Sequence, residues 1–321
     1  VVESGPEGLY PAPPWRWEGR ADLWRFWGRD VGKGAADFGL HHGMRLLPIG
    51  AVSAIGARLG RRAGRRRAEA SARAAALLRQ VRPRADDAAI AALLDAHWAH
   101  VGRCLAELSV LHRLWGEGRV AVSGLAHVEQ ARASGRPVLL AGLHVGAWEV
   151  VHAGLSALRL PSALIYQRLP NRFQMRIADT ARQRSWRNGA AIQRLAPTPR
   201  ALIHASQALR APGGMLLYYV DEYWRGRVHA PALGRAMRAE GNVSLATRLA
   251  AATGAAVIPA FARRCGDDAR FELTFLPEVP MEAGGRGVAL ENQARLDRAV
   301  ESVVRAHPEQ WLMAHVFRPE R

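Results

Sequence analysis

Lysine is almost missing from this chain, cysteine is scarce, and no long apolar run occurs. Lys33 is the only lysine among 321 residues, so the remaining 44 basic side chains are arginine. Cys104 and Cys265 stand far apart with no CxxC and no Cys/His spacing around them. A disulfide scaffold is therefore excluded, and a structural zinc site has no support. The longest uncharged runs, residues 249–262, 46–57 and 137–148, fall short of the roughly 18 apolar residues that cross a bilayer. No ordinary spanning helix is expected. Residues 1–14 lack the basic and apolar regions of a signal peptide, so we expect the protein to stay on the cytoplasmic side.

What is present is apolar bulk and positive charge. With 49% apolar residues the chain can bury a core, which excludes disorder. The formal charge is +17. A surplus of that size attracts phosphate-rich or acidic partners, and nucleic acid, an anionic membrane face and an acidic carrier protein all qualify. Codon drift in a GC-rich genome would also enrich arginine.

Near the start, Trp15, Trp17, Trp24 and Trp27 alternate with Arg16, Arg20, Arg25 and Arg29. Indole rings favour headgroup depth and guanidinium groups favour lipid phosphates, so residues 1–35 read as an interfacial arm. The alternative is that these rings pack on the protein's own core. Residues 21–31 carry the apolar stripe of a short amphipathic helix. Residues 38–57 read as a helix pair interrupted at Arg45 and Pro48. Ten arginines between Arg58 and Arg84, offset only by Glu69, would suit an anionic leaflet or a solvated face. A further helical region, 86–115, opens on Asp86–Asp87, which suits an N-cap.

After residue 116 the pattern changes. Apolar strands at 119–123, 137–143, 162–166, 214–220 and 255–262 alternate with helical stretches at 171–187, 198–209 and 243–253. Such alternation implies an α/β fold with a mostly parallel central sheet flanked by helices. The expected organisation is the arm 1–35, a helical membrane-associating region 36–116 and an α/β core 117–321.

In such sheets the working residues gather at the carboxyl edge. His144 directly follows a buried strand, with Gly146 to let the chain turn and Glu149 five places on. That spacing alone is weak, because His112/Glu117 and His315/Glu320 share it. The strand end separates His144 from the other two. An imidazole oriented by a carboxylate is a general base. No G-x-S-x-G elbow supplies a nucleophile, so the substrate's own hydroxyl is the simplest candidate.

The segment AGLHVGAWE resembles the H-x4-D/E motif of the glycerolipid and lysophospholipid acyltransferase superfamily, specifically the bacterial lipid A biosynthesis lauroyl/myristoyl acyltransferases. MRLLPIGAVSAIGARLG, LIYQRLPNRFQMRIADTARQR, GGMLLYYVDEYWRG, RLAAATGAAVIPAFARR and HPEQWLMAHVFRPER resemble further blocks of that family, so the likeness runs over about residues 40–321. It implies His144 as base and Glu149 as its partner, with Arg182, Asn171, Asp221 and Arg168 in substrate-binding blocks. It implies transfer of a fatty acyl chain from an acyl carrier protein thioester, or coenzyme A, to a hydroxyl of a phosphorylated glycolipid precursor. The acyl thioester is then a co-substrate, with no cofactor and no metal, and the reaction belongs to the cytoplasmic face of the inner membrane. Two departures bear on the acceptor: APALGRAMRAEG stands for the family's Phe-Phe-Gly stretch, and MAHVFR for its Trp/His-Arg-Arg close. Another polar lipid, such as a phosphatidylinositol mannoside or a lysolipid, is the alternative acceptor. A nucleic-acid-binding role lacks any recognisable module.

Overall fold

The computed structural model describes residues 24–318 other than 167, 168, 170, 196, 197 and 199. Trp15, Trp17 and Arg168, and with them most of the expected arm, lie outside the described residues. A π-helical turn, Arg25–Arg29, leads into α1 (Asp30–Met44). Helices α2 (Ile49–Arg65), α3 (Ala68–Val81), α4 (Asp87–Glu107) and the short α5 (Leu111–Leu114) follow. The predicted pair at 38–57 is thus two helices broken before Pro48, and Asp86 does cap α4 by accepting from the Ala89 amide. The helical region expected at 86–115 is two helices, the first ending at Glu107 and the second starting at Leu111. Helices α2 and α4 pack backbone to backbone, so that a Cβ on Gly60 would lie 2.0 Å from the Trp98 carbonyl oxygen.

The remainder is β1 (Val120–Ser123), α6 (Leu125–Ala133), β2 (Val138–Gly146), α7 (Trp148–Ala157), β3 (Ser162–Ile165), α8 (Arg172–Ser185), β4 (Ile192–Leu195) and α9 (Ala201–Arg210). Then come β5 (Met215–Tyr219), the hairpin β6 (Tyr223–Trp224) and β7 (Arg227–Val228), α10 (Gly241–Thr253), β8 (Ala256–Arg264), β9 (Phe271–Phe275) and α11 (Arg286–Ala306). The main sheet has seven strands in the order β1-β9-β8-β2-β5-β3-β4. All pairs are parallel except β8 with β9. The mostly parallel sheet expected from the alternation is therefore present, with one antiparallel step near an edge.

Strand β2 runs through the middle of the sheet and is apolar on both faces. Leu139, Ala141, Leu143 and Val145 join the core beneath α3, α10 and α11. Val138 and Leu140 join the core that includes α4 and α7. Side chains alternate along a strand, so helices cover both faces, and each fully buried leucine contributes about 1.5–3 kcal/mol. Among the described residues no helix is long and apolar enough to cross a membrane.

Candidate active site

The central strands deliver two titratable residues to one edge. Val138–Gly142 of β2 pair in register with Met215–Tyr219 of β5, and the Val220 amide still donates to the Gly142 carbonyl at 3.0 Å. Continuing that register sets His144 opposite Asp221. The Asp221 carboxylate accepts from His144 Nδ1 at 2.8 Å through one oxygen and from the His144 amide at 2.8 Å through the other. The second oxygen also accepts from Trp311 Nε1 at 2.9 Å. Asp221 and Trp311 are fully buried, whereas the His144 side chain keeps 16% of its surface in solvent. A carboxylate only accepts, so Nδ1 carries the proton and Nε2 presents a lone pair. Nε2 has no partner among the described residues. Tyr219 stacks at 4.5 Å from the imidazole centroid and Trp148 lies at 5.9 Å.

Gly146 makes the turn from strand to helix. Its φ is +69°, and a Cβ there would lie 1.9 Å from the Ala262 carbonyl oxygen. Only glycine fits both constraints. The turn is braced from behind: His100 Nε2 lies 3.2 Å from the Gly146 carbonyl oxygen, and the Arg264 guanidinium is forked onto buried Glu107.

Glu149 sits in the first turn of α7 and does not face His144. Its carboxylate is forked by Arg182, Nη2 to Oε1 at 2.6 Å and Nε to Oε2 at 2.9 Å, and also meets His152 Nε2 at 2.5 Å. The Trp186 indole donates to His152 Nδ1 at 3.2 Å. Indole cannot accept, so the His152 proton is on Nε2 and is donated to Glu149. Burial alone would raise the Glu149 carboxyl, but Arg182 and His152 outweigh it and hold it well below the usual carboxylate range. Burial raises the Tyr219 phenol, reinforced by Glu149, so its hydroxyl stays protonated and donates to the Trp148 carbonyl at 2.7 Å.

Several sequence expectations change at this point. The partner of His144 is Asp221 rather than Glu149, because α7 turns Glu149 toward α8. Arg182 is committed to Glu149 rather than open to a ligand. Asn171 caps α8, accepting from the Phe173 and Gln174 amides, while its Nδ2 donates to the Asp30 carbonyl. That makes it a buried bracket between α1 and α8. Asp221, expected among substrate-binding positions, touches the His144 ring instead. A signal for it existed: the apolar runs 137–143 and 214–220 are each followed directly by a titratable residue, at the edge where parallel sheets do chemistry. Nothing in the sequence connected Trp311 to Asp221. The C-terminal segment reaches it by folding back as a bridge from Trp311 to Val145.

Beside Glu149 lies an apolar cavity of about 10 Å³, lined by Leu108, Leu111, Leu114, Trp148 and Val150 among others. It has room for about one water. Among the described residues no group of His, Cys, Asp and Glu could hold a metal ion. The sequence model of the family described as bacterial lipid A biosynthesis acyltransferase matches residues 36–316. No curated protein matches the chain.

Proposed function

Because the chain belongs to the bacterial lipid A biosynthesis acyltransferase family, we propose that it is a membrane-surface O-acyltransferase with His144 as its general base. Nε2 of His144 takes the proton of an acceptor hydroxyl while that oxygen attacks the thioester carbonyl. The carbon–sulfur bond then breaks, and the imidazolium returns the proton to the departing thiolate. Asp221 fixes the tautomer and faces the transient positive charge. The acceptor's own oxygen is the nucleophile, so no acyl-enzyme forms.

The observation that carries this reading is the His144 ring, held at Nδ1 by Asp221 with Nε2 open. Base catalysis of this kind contributes ~10²–10⁴ in rate. The rest comes from holding two substrates together and from donors to the developing oxyanion. The first-turn amides of Trp148 and Glu149 suit that task, since helix-opening N–H groups have no carbonyl one turn back. Glu149 is read as a positioning residue, tying α7 to α8 through Arg182.

The donor in this reading is an acyl carrier protein thioester, an acidic partner that the +17 charge favours. The acceptor is a phosphorylated glycolipid of the lipid A type at the cytoplasmic face of the inner membrane, and no cofactor is required. Incubating purified protein with acyl carrier protein thioesters and a lipid A precursor, then weighing the products, tests donor and acceptor together. A parallel incubation with phosphatidylinositol mannoside and lysolipid acceptors tests the alternative. Full transfer by the His144→Ala variant would remove the assignment.

A further inference from the structure

The end of α1 and the end of α8 bring basic side chains together without an acid to pair them. His41, His42 and Arg45 come from α1 and its C-cap, Arg184 from the last turn of α8, and His112 from α5. Arg45 Nη1 lies 3.3 Å from His42 Nδ1, and no carboxylate among the described residues pairs with either guanidinium. Arg45 Nε and Arg184 Nη1 are shielded from solvent yet have no hydrogen-bond partner among the described residues. A buried donor left without an acceptor is destabilising. The helix C-terminal carbonyls offset only part of the mutual repulsion. The three imidazoles record the same crowding: burial and then Arg45 and Arg184 hold each below its usual value, His41 at about 4 with His42 acting before the arginines. No described carboxylate relieves this cluster, whereas an anion with several oxygens would satisfy it.

Exposed apolar side chains lie next to it. Leu46 follows Arg45 and is 87% exposed, Leu40 and Phe38 are exposed on α1, and the Phe38 ring lies 4.2 Å from that of His42. Trp24 and Trp27, 71% and 63% exposed, precede the same helix. Guanidinium groups suit phosphate, and a leucine pushed into water beside them suits acyl chains. We propose that Arg45 and Arg184, flanked by His42 and His112, bind the headgroup phosphate of an anionic bilayer phospholipid while Leu46 enters the acyl region. The proposal rests on the reading of this protein as a membrane-surface enzyme and names the site that docks it.

Vesicle co-sedimentation of the full chain tests it, using phosphatidylcholine alone, phosphatidylcholine with phosphatidylglycerol, and phosphatidylcholine with oleate at equal negative charge. The protein is expected to favour phosphatidylglycerol over oleate. The double variant Arg45→Gln/Arg184→Gln is expected to lose about tenfold or more in affinity for the phosphatidylglycerol vesicles. Arg210→Gln/Arg298→Gln, two exposed arginines elsewhere, removes equal charge and should lose far less. Leu46→Asp should weaken binding by itself, and the urea midpoint of the Arg45/Arg184 variant should be unchanged or higher. Equal loss in both arginine pairs overturns the site while leaving membrane docking intact; failure of the unaltered protein to bind any anionic vesicle overturns both. Release by millimolar inorganic phosphate with no effect of Leu46→Asp identifies a free-phosphate site and also overturns the proposal. So does unchanged vesicle binding with a raised KM for the acceptor, which assigns the cluster to the acceptor's own phosphate.

Discussion

Asp221 grips His144 twice, at the ring through Nδ1 and at the backbone amide, each at 2.8 Å. The two-point hold follows from β2 and β5 being adjacent parallel strands whose register continues past their ends. Neither residue can shift along its strand without breaking both contacts, so the imidazole is aimed by the sheet itself.

Removing the charge but not the shape of Asp221 should expose that dependence. Asp221→Asn can turn its amide N–H toward the ring and so favour the wrong tautomer. We expect kcat to fall about 10²–10⁴-fold with a native circular dichroism spectrum. Trp311→Phe deletes the donor to Asp221 and leaves a cavity at a fully buried site, with an expected loss of about 2–3 kcal/mol in stability and a fall in kcat smaller than that of Asp221→Asn.

Glu149 and Arg182 should behave as a structural pair. Glu149→Ala leaves a buried guanidinium uncompensated, which we expect to lower the unfolding free energy by about 3 kcal/mol. Glu149→Met/Arg182→Leu should recover most of that loss in urea titrations. If the double variant is no more stable than Glu149→Ala alone, the pair is not what joins α7 to α8. The depressed Glu149 carboxyl adds stability that is present above its unfolded pKa and is lost as pH falls below it.

Gly146→Ala should be among the most disruptive small substitutions in the chain. The new methyl meets the Ala262 carbonyl oxygen at a backbone angle that alanine disfavours. A destabilisation of at least about 2 kcal/mol is expected, read as a lower Tm and as weaker transfer activity.

Acid should weaken the fold through His97 and His315. Their rings meet at 3.3 Å in the core, and burial lowers His97 to about 4 and His315 to about 3. The unfolded chain therefore binds protons below pH 6.5 that the folded chain refuses, so stability falls as pH drops from 7 toward 4. The slope is up to about 1.4 kcal/mol per pH unit for each imidazole. In His97→Gln/His315→Gln the dependence of the urea midpoint on pH should be shallower over that window.

The helical entry, the alternation of strands and helices, and a place for His144 near the carboxyl end of a buried strand were all legible because each depends on residues close together in the chain, although β2 runs on to Gly146 and carries His144 within it. Several elements went unread, among them α6, β4, the β6–β7 hairpin, β9 and α11. β9, with Phe271, Leu273 and Phe275 facing one core, is a five-residue strand whose antiparallel partner β8 no local pattern specifies. Helix α11 turns Leu296, Val300, Val303 and Val304 toward the sheet but also buries the polar Asn292, Gln293 and Asp297, which blurs its apolar stripe.

Sequence alone determined that an imidazole would stand at the carboxyl edge of a buried strand, with a glycine turn and an acid one helical turn beyond. It could not choose among carboxylates, because the five-residue spacing to Glu149 says nothing about where α7 points once Gly146 has turned the chain. Strand order made that choice. Placing β5 against β2 brought Asp221 to the ring from 77 residues away. Packing α8 against α7 gave Glu149 to Arg182, a contact that exists only when the two helices are laid side by side.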